Sequence, residues 1–283
     1  MFTADSGPVV DALKEKAACY IMERRLKDGG FCFYRLNEPS GADTYWALAS
    51  LKTLGVPFED KNTIRFLKGF QHPDGSYASV YHAYYAIKGL RLLNEEPDMD
   101  PVSYILKNVK SHDVNRLPAG GASIFKGLYP AIDLIHSMDM DLGKTLKAKI
   151  SRFVLSYQKD SAGFGHPHAT LFDTFHALMV LAWLGYPIER LGTEKFIKKC
   201  EHPVFGFVNV LRTAPAFIEH IFAGTSSSVV LSRKPRYIGR CTGFVEGCQC
   251  RNGGFSRTTH GGIATLEYTF LAVCILNNLK ALN

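Results

Sequence analysis

The sequence predicts an all-α protein, a single domain over residues 1–283 in which six helix-pair repeats close into a ring. Three observations predict it. One short template recurs along the chain, each copy is followed by a second apolar helix, and strand-like alternation is essentially absent.

The template reads Phe66-Leu67, then Gln71, Gly75 and Tyr77. The same intervals return in Phe244-Val245, Gln249, Gly253, Phe255 and, with Arg for Gln, in Tyr20-Ile21, Arg25, Gly29, Phe31. Phe153-Val154, Gln158, Gly163, Phe164 fits with one inserted residue before the Gly, and Phe196-Ile197, Glu201, Gly206, Phe207 fits with Glu for Gln. The sixth copy, Tyr104-Ile105 to Gly120-Gly121, carries an insertion around His112 to Leu117. Successive starts lie 38 to 49 residues apart.

Within each copy an apolar-periodic helix stops at the Gln-to-Gly turn, where Gly supplies the positive φ a helix end needs. A second helix, rich in aromatic and small residues, begins at Asp43, Tyr81, Asp173 and Leu266. Gly55, Asn94, Gly185 and Asn277 follow the last apolar residues as stop signals. Open stacks of helix pairs carry polar capping repeats at their ends. Here the first and last copies are among the best preserved, which predicts closure. Thr225-Ser226-Ser227-Ser228 predicts a long loop.

Composition narrows the function classes. The N-terminus lacks a basic flank and an apolar h-region, and the strongest apolar run, Ala177 to Trp183, is too short to cross a bilayer. Seven cysteines in a chain of this size fit a reduced, cytoplasmic setting. A net charge of +7 suits a phosphorylated small molecule or peripheral contact with an acidic membrane surface. No zinc-finger spacing, RNP signature or basic helix accompanies it, which makes nucleic acid an unlikely partner. Arg233, Lys234, Arg236 and Arg240 crowd into eight residues, with Arg251 and Arg257 following; they form either a solvated loop or an anion site.

The aromatic-aliphatic-x3-Gln-x3-Gly-x-aromatic template, from about Cys19 to Leu276, resembles the repeat of triterpene cyclases and of protein prenyltransferase β subunits. The resemblance implies an α/α toroid, with second helices as an inner ring around a cavity for a prenyl chain or polyene. It also implies an isoprenoid or other apolar small molecule as ligand and, on the transferase side, a helical partner subunit. The inner helices carry Tyr45, Trp46, Tyr81, Tyr84, Tyr85, Tyr129, Phe172, Phe175, Trp183, Phe217, Phe222 and Tyr268. Such rings either fill the core or line the cavity, where their π faces suit a carbocation.

Asp43, His82 and Asp173 stand at equivalent starts of inner helices, as caps or as cavity groups; Glu219 or His220, and Glu267, belong to the same ring if the register holds. Asp173, His176 and Asp43 are the polar cavity candidates, as metal ligand, base and acid respectively. His82, with no carboxylate for capping, is expected to face the cavity. Protonating cyclases share D-x-D-D-T-A; Gly41-Ala42-Asp43-Thr44 has Ala42 at the acid's place, and no Asp-Asp pair exists for a magnesium motif. The transferases hold zinc with V-D-G-C and D-x-F-H segments. Val245-Glu246-Gly247-Cys248 and Asp173-Thr174-Phe175-His176 are similar but fall in other registers. Zinc and magnesium both stay open as cofactors, with Asp173 and His176 as one candidate pair and Cys241, Cys248, Cys250 and His260 as a candidate cluster, the latter equally read as free thiols. An Arg soon after the family's G-G-F turn contacts diphosphate, and Gly254-Phe255-Ser256-Arg257 is similar; Arg251 and Arg240 are the further candidates.

Overall fold

The computed structural model describes residues 7–34, 38–111, 123–213 and 215–282. Among them twelve α-helices run in outer–inner pairs. The outer members are α1 (Gly7–Met22), α3 (Lys61–Lys68), α5 (Val102–Ser111), α7 (Gly143–Leu155), α9 (Thr193–Cys200) and α11 (Ile238–Cys248). The inner members are α2 (Gly41–Leu54), α4 (Val80–Leu92), α6 (Leu128–Ser137), α8 (Leu171–Trp183), α10 (Ile218–Val230) and α12 (Leu266–Leu282). Each inner helix packs against the next, and α12 packs on α2 and α1, so the ring is closed.

The conserved spacing has a mechanical cause. In the five described turns the template aromatic pairs backbone with the residue six earlier, in Arg25–Phe31, Gln71–Tyr77, Gln158–Phe164 and Gln249–Phe255, with Glu201–Phe207 in the short two-stranded ribbon. The glutamine side chain then joins one repeat to the next. Gln71 Nε2 donates to Met99 O at 2.8 Å and Gln158 Nε2 to Leu191 O at 2.8 Å, each just ahead of the following outer helix. Gln249 Nε2 donates to Leu13 O at 3.0 Å, which closes the seam between the last turn and the first helix. Arg25 does the same work through Asp60 at 2.8 Å, and Glu201 through Arg233 and the Arg236 N–H.

A second latch fixes the inner helices. Phe31, Phe164 and Phe255 donate their N–H to Thr44, Thr174 and Thr269 at 3.0, 2.9 and 3.1 Å. The hydroxyls of Ser40, Ser79, Thr170 and Thr265 accept the N–H three residues on, satisfying a donor that the first helical turn leaves unpaired. These contacts set a common register for α2, α4, α8 and α12.

Two local expectations are corrected. The fourth repeat has no inserted residue: Ala162, four after Gln158, takes the positive φ of 66°, while Gly163 is needed because a Cβ there would sit 2.6 Å from the Phe196 ring. Thr225 to Ser228 is not a loop but lies inside α10. Its hydroxyls bond one turn back, Thr225 to Ile221 O at 2.9 Å and Ser228 to Gly224 O at 2.8 Å, so small polar residues stay helical and buried. The insertion from His112 to Leu117 and Gly120-Gly121 lie outside the described residues.

Candidate functional site

The inner helices all run the same way, so their N-terminal ends meet on one face of the ring. Two residues past their caps stand Ala42, Tyr81, Phe172, Glu219 and Glu267, and Lys126, in the turn just ahead of α6, completes a mouth layer. Three residues deeper comes an aromatic layer of Tyr45, Tyr84, Tyr129, Phe175, Phe222 and Phe270. All of these except Ala42 line a cavity of about 420 Å³, together with Trp46, Tyr85, Pro130, His176, Asp133 and Arg257. That volume suits a small-molecule site.

The aromatic layer is continuous over most of its circuit. Ring centroids lie 5.6 Å apart for Tyr45–Tyr84, 6.0 Å for Tyr129–Phe175, 5.3 Å for Phe175–Phe222 and 6.2 Å for Tyr45–Phe270. These are favourable aromatic spacings. Trp46 adds an edge contact to Tyr85 at 5.5 Å and a tilted one to Phe270 at 4.9 Å. His176 is sandwiched by Tyr129 and Phe172 at 4.3 and 4.5 Å. Burial drives its pKa down to about 3, so the imidazole is neutral, and its Nδ1 is buried without a hydrogen-bond partner.

The mouth is charged. Arg257 donates from Nε to Glu219 Oε1 at 2.7 Å and also from Nη2, and its guanidinium lies 4.1 Å over the Phe217 ring. Glu219 Oε2 is buried and unpartnered. Beside it, Glu267 has its pKa raised by burial and by the nearby Glu219 and Asp43 carboxylates. Its side chain is packed by protein on one side and open on the cavity side. Tyr81 donates its hydroxyl to Lys126 O at 3.1 Å.

Fourteen of the residues singled out in the sequence thus converge on the cavity: Tyr45, Trp46, Tyr81, Tyr84, Tyr85, Tyr129, Phe172, Phe175, His176, Glu219, Phe222, Arg257, Glu267 and Tyr268. Others stand elsewhere. Asp173 accepts from the Ile124 N–H at 2.9 Å and the Thr170 hydroxyl at 2.8 Å, clamping α8 to the segment before α6. Asp43 accepts from the Phe33 N–H at 3.3 Å. Neither is the cap; the hydroxyl residue three positions earlier is. His82 does not face the cavity: it is exposed, with Nδ1 2.8 Å from the Ser79 hydroxyl. Arg240 and Arg251 are exposed away from the mouth, and Arg233 is held by Glu201.

The metal candidates do not assemble. Cys241 and Cys248 are buried free thiols pushed up to about 12 by burial, and His260 is exposed. Asp173 spends its carboxylate on Ile124 and Thr170 while His176 turns into the cavity. Among the described residues no group of three His, Cys, Asp or Glu is placed to hold a metal ion, so the side chains present do not fit a zinc or a carboxylate-bound magnesium.

Sequence reasoning missed Lys126, Asp133 and Phe270 in the cavity wall and, behind Asp133, Lys88. Asp133 accepts from the Tyr84 hydroxyl at 2.7 Å and from Lys88 Nζ at 2.9 and 3.1 Å. The signal was periodic. Lys88 and Asp133 each fall seven residues, two helical turns, after a mouth-layer residue.

A closed double ring of helices around an aromatic cavity is an α/α toroid. The chain belongs to the prenyltransferase alpha-alpha toroid domain family, whose sequence profile matches residues 6–72, 66–115 and 127–283. Among solved structures it is similar to the Candida albicans protein geranylgeranyltransferase-I complexed with GGPP, at 15% identity and a TM-score of 0.64, covering 92% of this chain and 89% of that one. It is also similar to the type II terpene cyclase MstE from Scytonema in complex with merosterolic acid A, at 10% identity and a TM-score of 0.59, covering 96% of each chain. At these identities the likeness is one of fold. No curated protein sequence matches the chain. None of the described helices is long and apolar enough to cross a membrane.

Proposed function

We propose that this protein takes an isoprenoid diphosphate, its tail in the aromatic layer and its head at the mouth beside Arg257 and Lys126. The observation that carries the reading is the stacking of the two layers, charge above a nearly continuous wall of rings. The six inner-helix N-termini add partial positive charge to the same face. Arg257 uses Nε and Nη2 on Glu219, and its Nη1 edge is the group that meets a phosphate oxygen. As the bond from carbon to the diphosphate oxygen breaks, these cations stabilise the leaving anion and the rings stabilise the allylic cation. His176, neutral and in the cavity wall, is the base that removes a proton from that cation.

The test is diphosphate release from geranyl, farnesyl and geranylgeranyl diphosphate by the purified protein. Release that falls on the order of a hundredfold in Arg257→Ala supports the reading, a loss in line with removing one charge-stabilising donor. Absence of release from all three by folded protein overturns it.

One observation favours a second reading, cyclisation started by protonation. The mouth position that Ala42 holds in α2 is held by Glu267 in the adjacent α12, and burial raises that carboxyl's pKa. A protonated Glu267 above a wall of aromatic rings would deliver its proton to a terminal alkene of a polyene, with no diphosphate released. Conversion of a polyene that is lost in Glu267→Gln and untouched in Arg257→Ala would select it.

A further inference from the structure

Seven residues below the mouth layer, about 10 Å down the inner helices at their usual rise, lies a third layer of Ala49, Lys88, Asp133, Met179, Ser226 and Cys274. Lys88 and Asp133 are neighbours in it, on α4 and α6, and they form an ion pair with side chains 21% and 11% exposed. An unfunctionalised hydrocarbon tail gives no reason to keep a charge pair here, since taking both ions out of water costs free energy that apolar side chains would not.

The hydrogen-bond capacity of the pair is directional. Asp133 Oδ2 receives two donors, Tyr84 and Lys88, whereas Oδ1 receives only Lys88. A carboxylate oxygen accepts two bonds, so Oδ1 keeps one acceptor site. Asp133 and Tyr84 line the cavity, and Lys88 does not. What faces a ligand is therefore a buried carboxylate, already oriented by two protein donors and short of one more.

We propose that the floor of the cavity is a recognition subsite for a hydroxyl at the far end of the ligand, which donates to Asp133. The substrate class is then an isoprenoid oxygenated at its distal terminus rather than a plain hydrocarbon tail. This rests on the isoprenoid reading only for the nature of the chain between mouth and floor.

Calorimetric binding tests it with two matched pairs. One pair is farnesyl diphosphate and its analogue with a hydroxyl on a terminal methyl. The other is dodecyl phosphate and its ω-hydroxy analogue, in which the chain is not an isoprenoid. The anionic head keeps both pairs from binding upside down on Asp133. A hydrogen bond to a buried charged group predicts at least about a tenfold tighter Kd for the hydroxylated member. The advantage disappears in the double variant Asp133→Leu with Lys88→Met, which removes both charges together and so leaves neither unpaired. Retained affinity of that variant for the plain member shows that it is folded. Equal Kd values within both pairs on the wild-type protein overturn the subsite, whatever the variant does. A hydroxyl advantage confined to the dodecyl pair, with no binding of either farnesyl compound, upholds the subsite and overturns the isoprenoid reading. No binding of any of the four overturns both.

Discussion

The seam of the ring is open to a quantitative test. Gln249→Ala removes two hydrogen bonds, to Leu13 O and to Gly253 O, both at 3.0 Å. Only the first crosses from the last repeat to the first. At roughly 1 kcal/mol for each net bond, the variant loses about 2 kcal/mol. Gln71→Ala and Gln158→Ala act as internal standards. Gln158 makes the equivalent bonds to Leu191 O at 2.8 Å and Ala162 O at 3.4 Å, and Gln71 bonds Gly75 O at 3.3 Å and Met99 through both its Nε2 and Oε1. Neither standard involves the seam. In a closed ring Gln249→Ala costs about as much as Gln158→Ala, with Gln71→Ala about one bond more, and the two-bond losses lower Tm by roughly 4–8 °C for a domain of this size. The assay is urea unfolding followed by far-UV circular dichroism, read as a change in midpoint at constant slope. A neutral Gln249→Ala beside two costly standards refutes closure, because it means that the first helix does not dock on the last turn. Tyr20→Phe is an independent check, since its hydroxyl donates to Ala264 O across the same seam at 2.9 Å.

Three further outcomes are expected. Glu267 has a raised pKa, so the folded state favours its protonated form and stability falls as pH rises from the ordinary Glu range through the raised value. Glu267→Gln should therefore raise Tm at pH 7 and leave it unchanged at pH 4, and an equal gain at both would remove the electrostatic explanation. His176, with a folded pKa of about 3, binds its proton less readily than the unfolded chain does. Stability is then lost as pH falls from about 6.5 toward 3, and the His176→Phe protein should lose about 1.4 kcal/mol less for each pH unit within that window in acid titrations of unfolding. Gly163→Ala places a Cβ 2.6 Å from the Phe196 ring and should destabilise by about 1–3 kcal/mol in the urea assay. An unchanged midpoint would mean that the ring has room to move.

Much of the fold is readable in the sequence because each repeat depends on residues with few substitutes. A positive φ, a turn aromatic and a side chain long enough to reach the next repeat keep their spacing at Gln71 and at Gln249, although these residues belong to different turns of the ring. The misreadings came where chemistry and conformation part. Ala162 holds a backbone geometry usually left to glycine, so the pattern looks shifted by one. The run from Thr225 to Ser228 has loop composition, but burial lets its hydroxyls bond the carbonyls one turn back.

The site was readable only as far as single helices reveal it. Tyr45, Tyr85 and Phe172 announce themselves by size and by their place after a hydroxyl cap, and the cavity wall follows. Asp43, Asp173 and His82 announce themselves by charge at the same place, yet they sit at the third helical position. There the side chain turns outward to the preceding loop or to its own cap, as the Phe33, Ile124 and Ser79 contacts show. Lys88 and Asp133 carry no local signal at all. Each is an ordinary charge on an inner helix, and the two lie far apart in sequence. They become a pair because α4 and α6 are neighbours in the inner ring, which brings equal registers face to face. The same rule brings Glu267 next to the position of Ala42. In a toroid an acid is not bound to one helix, because any of the six can deliver it to the mouth layer. An acid motif absent from its usual helix therefore says little about whether the cavity holds an acid. The six residues of the mouth layer are the set that decides it, and two of them here are glutamates.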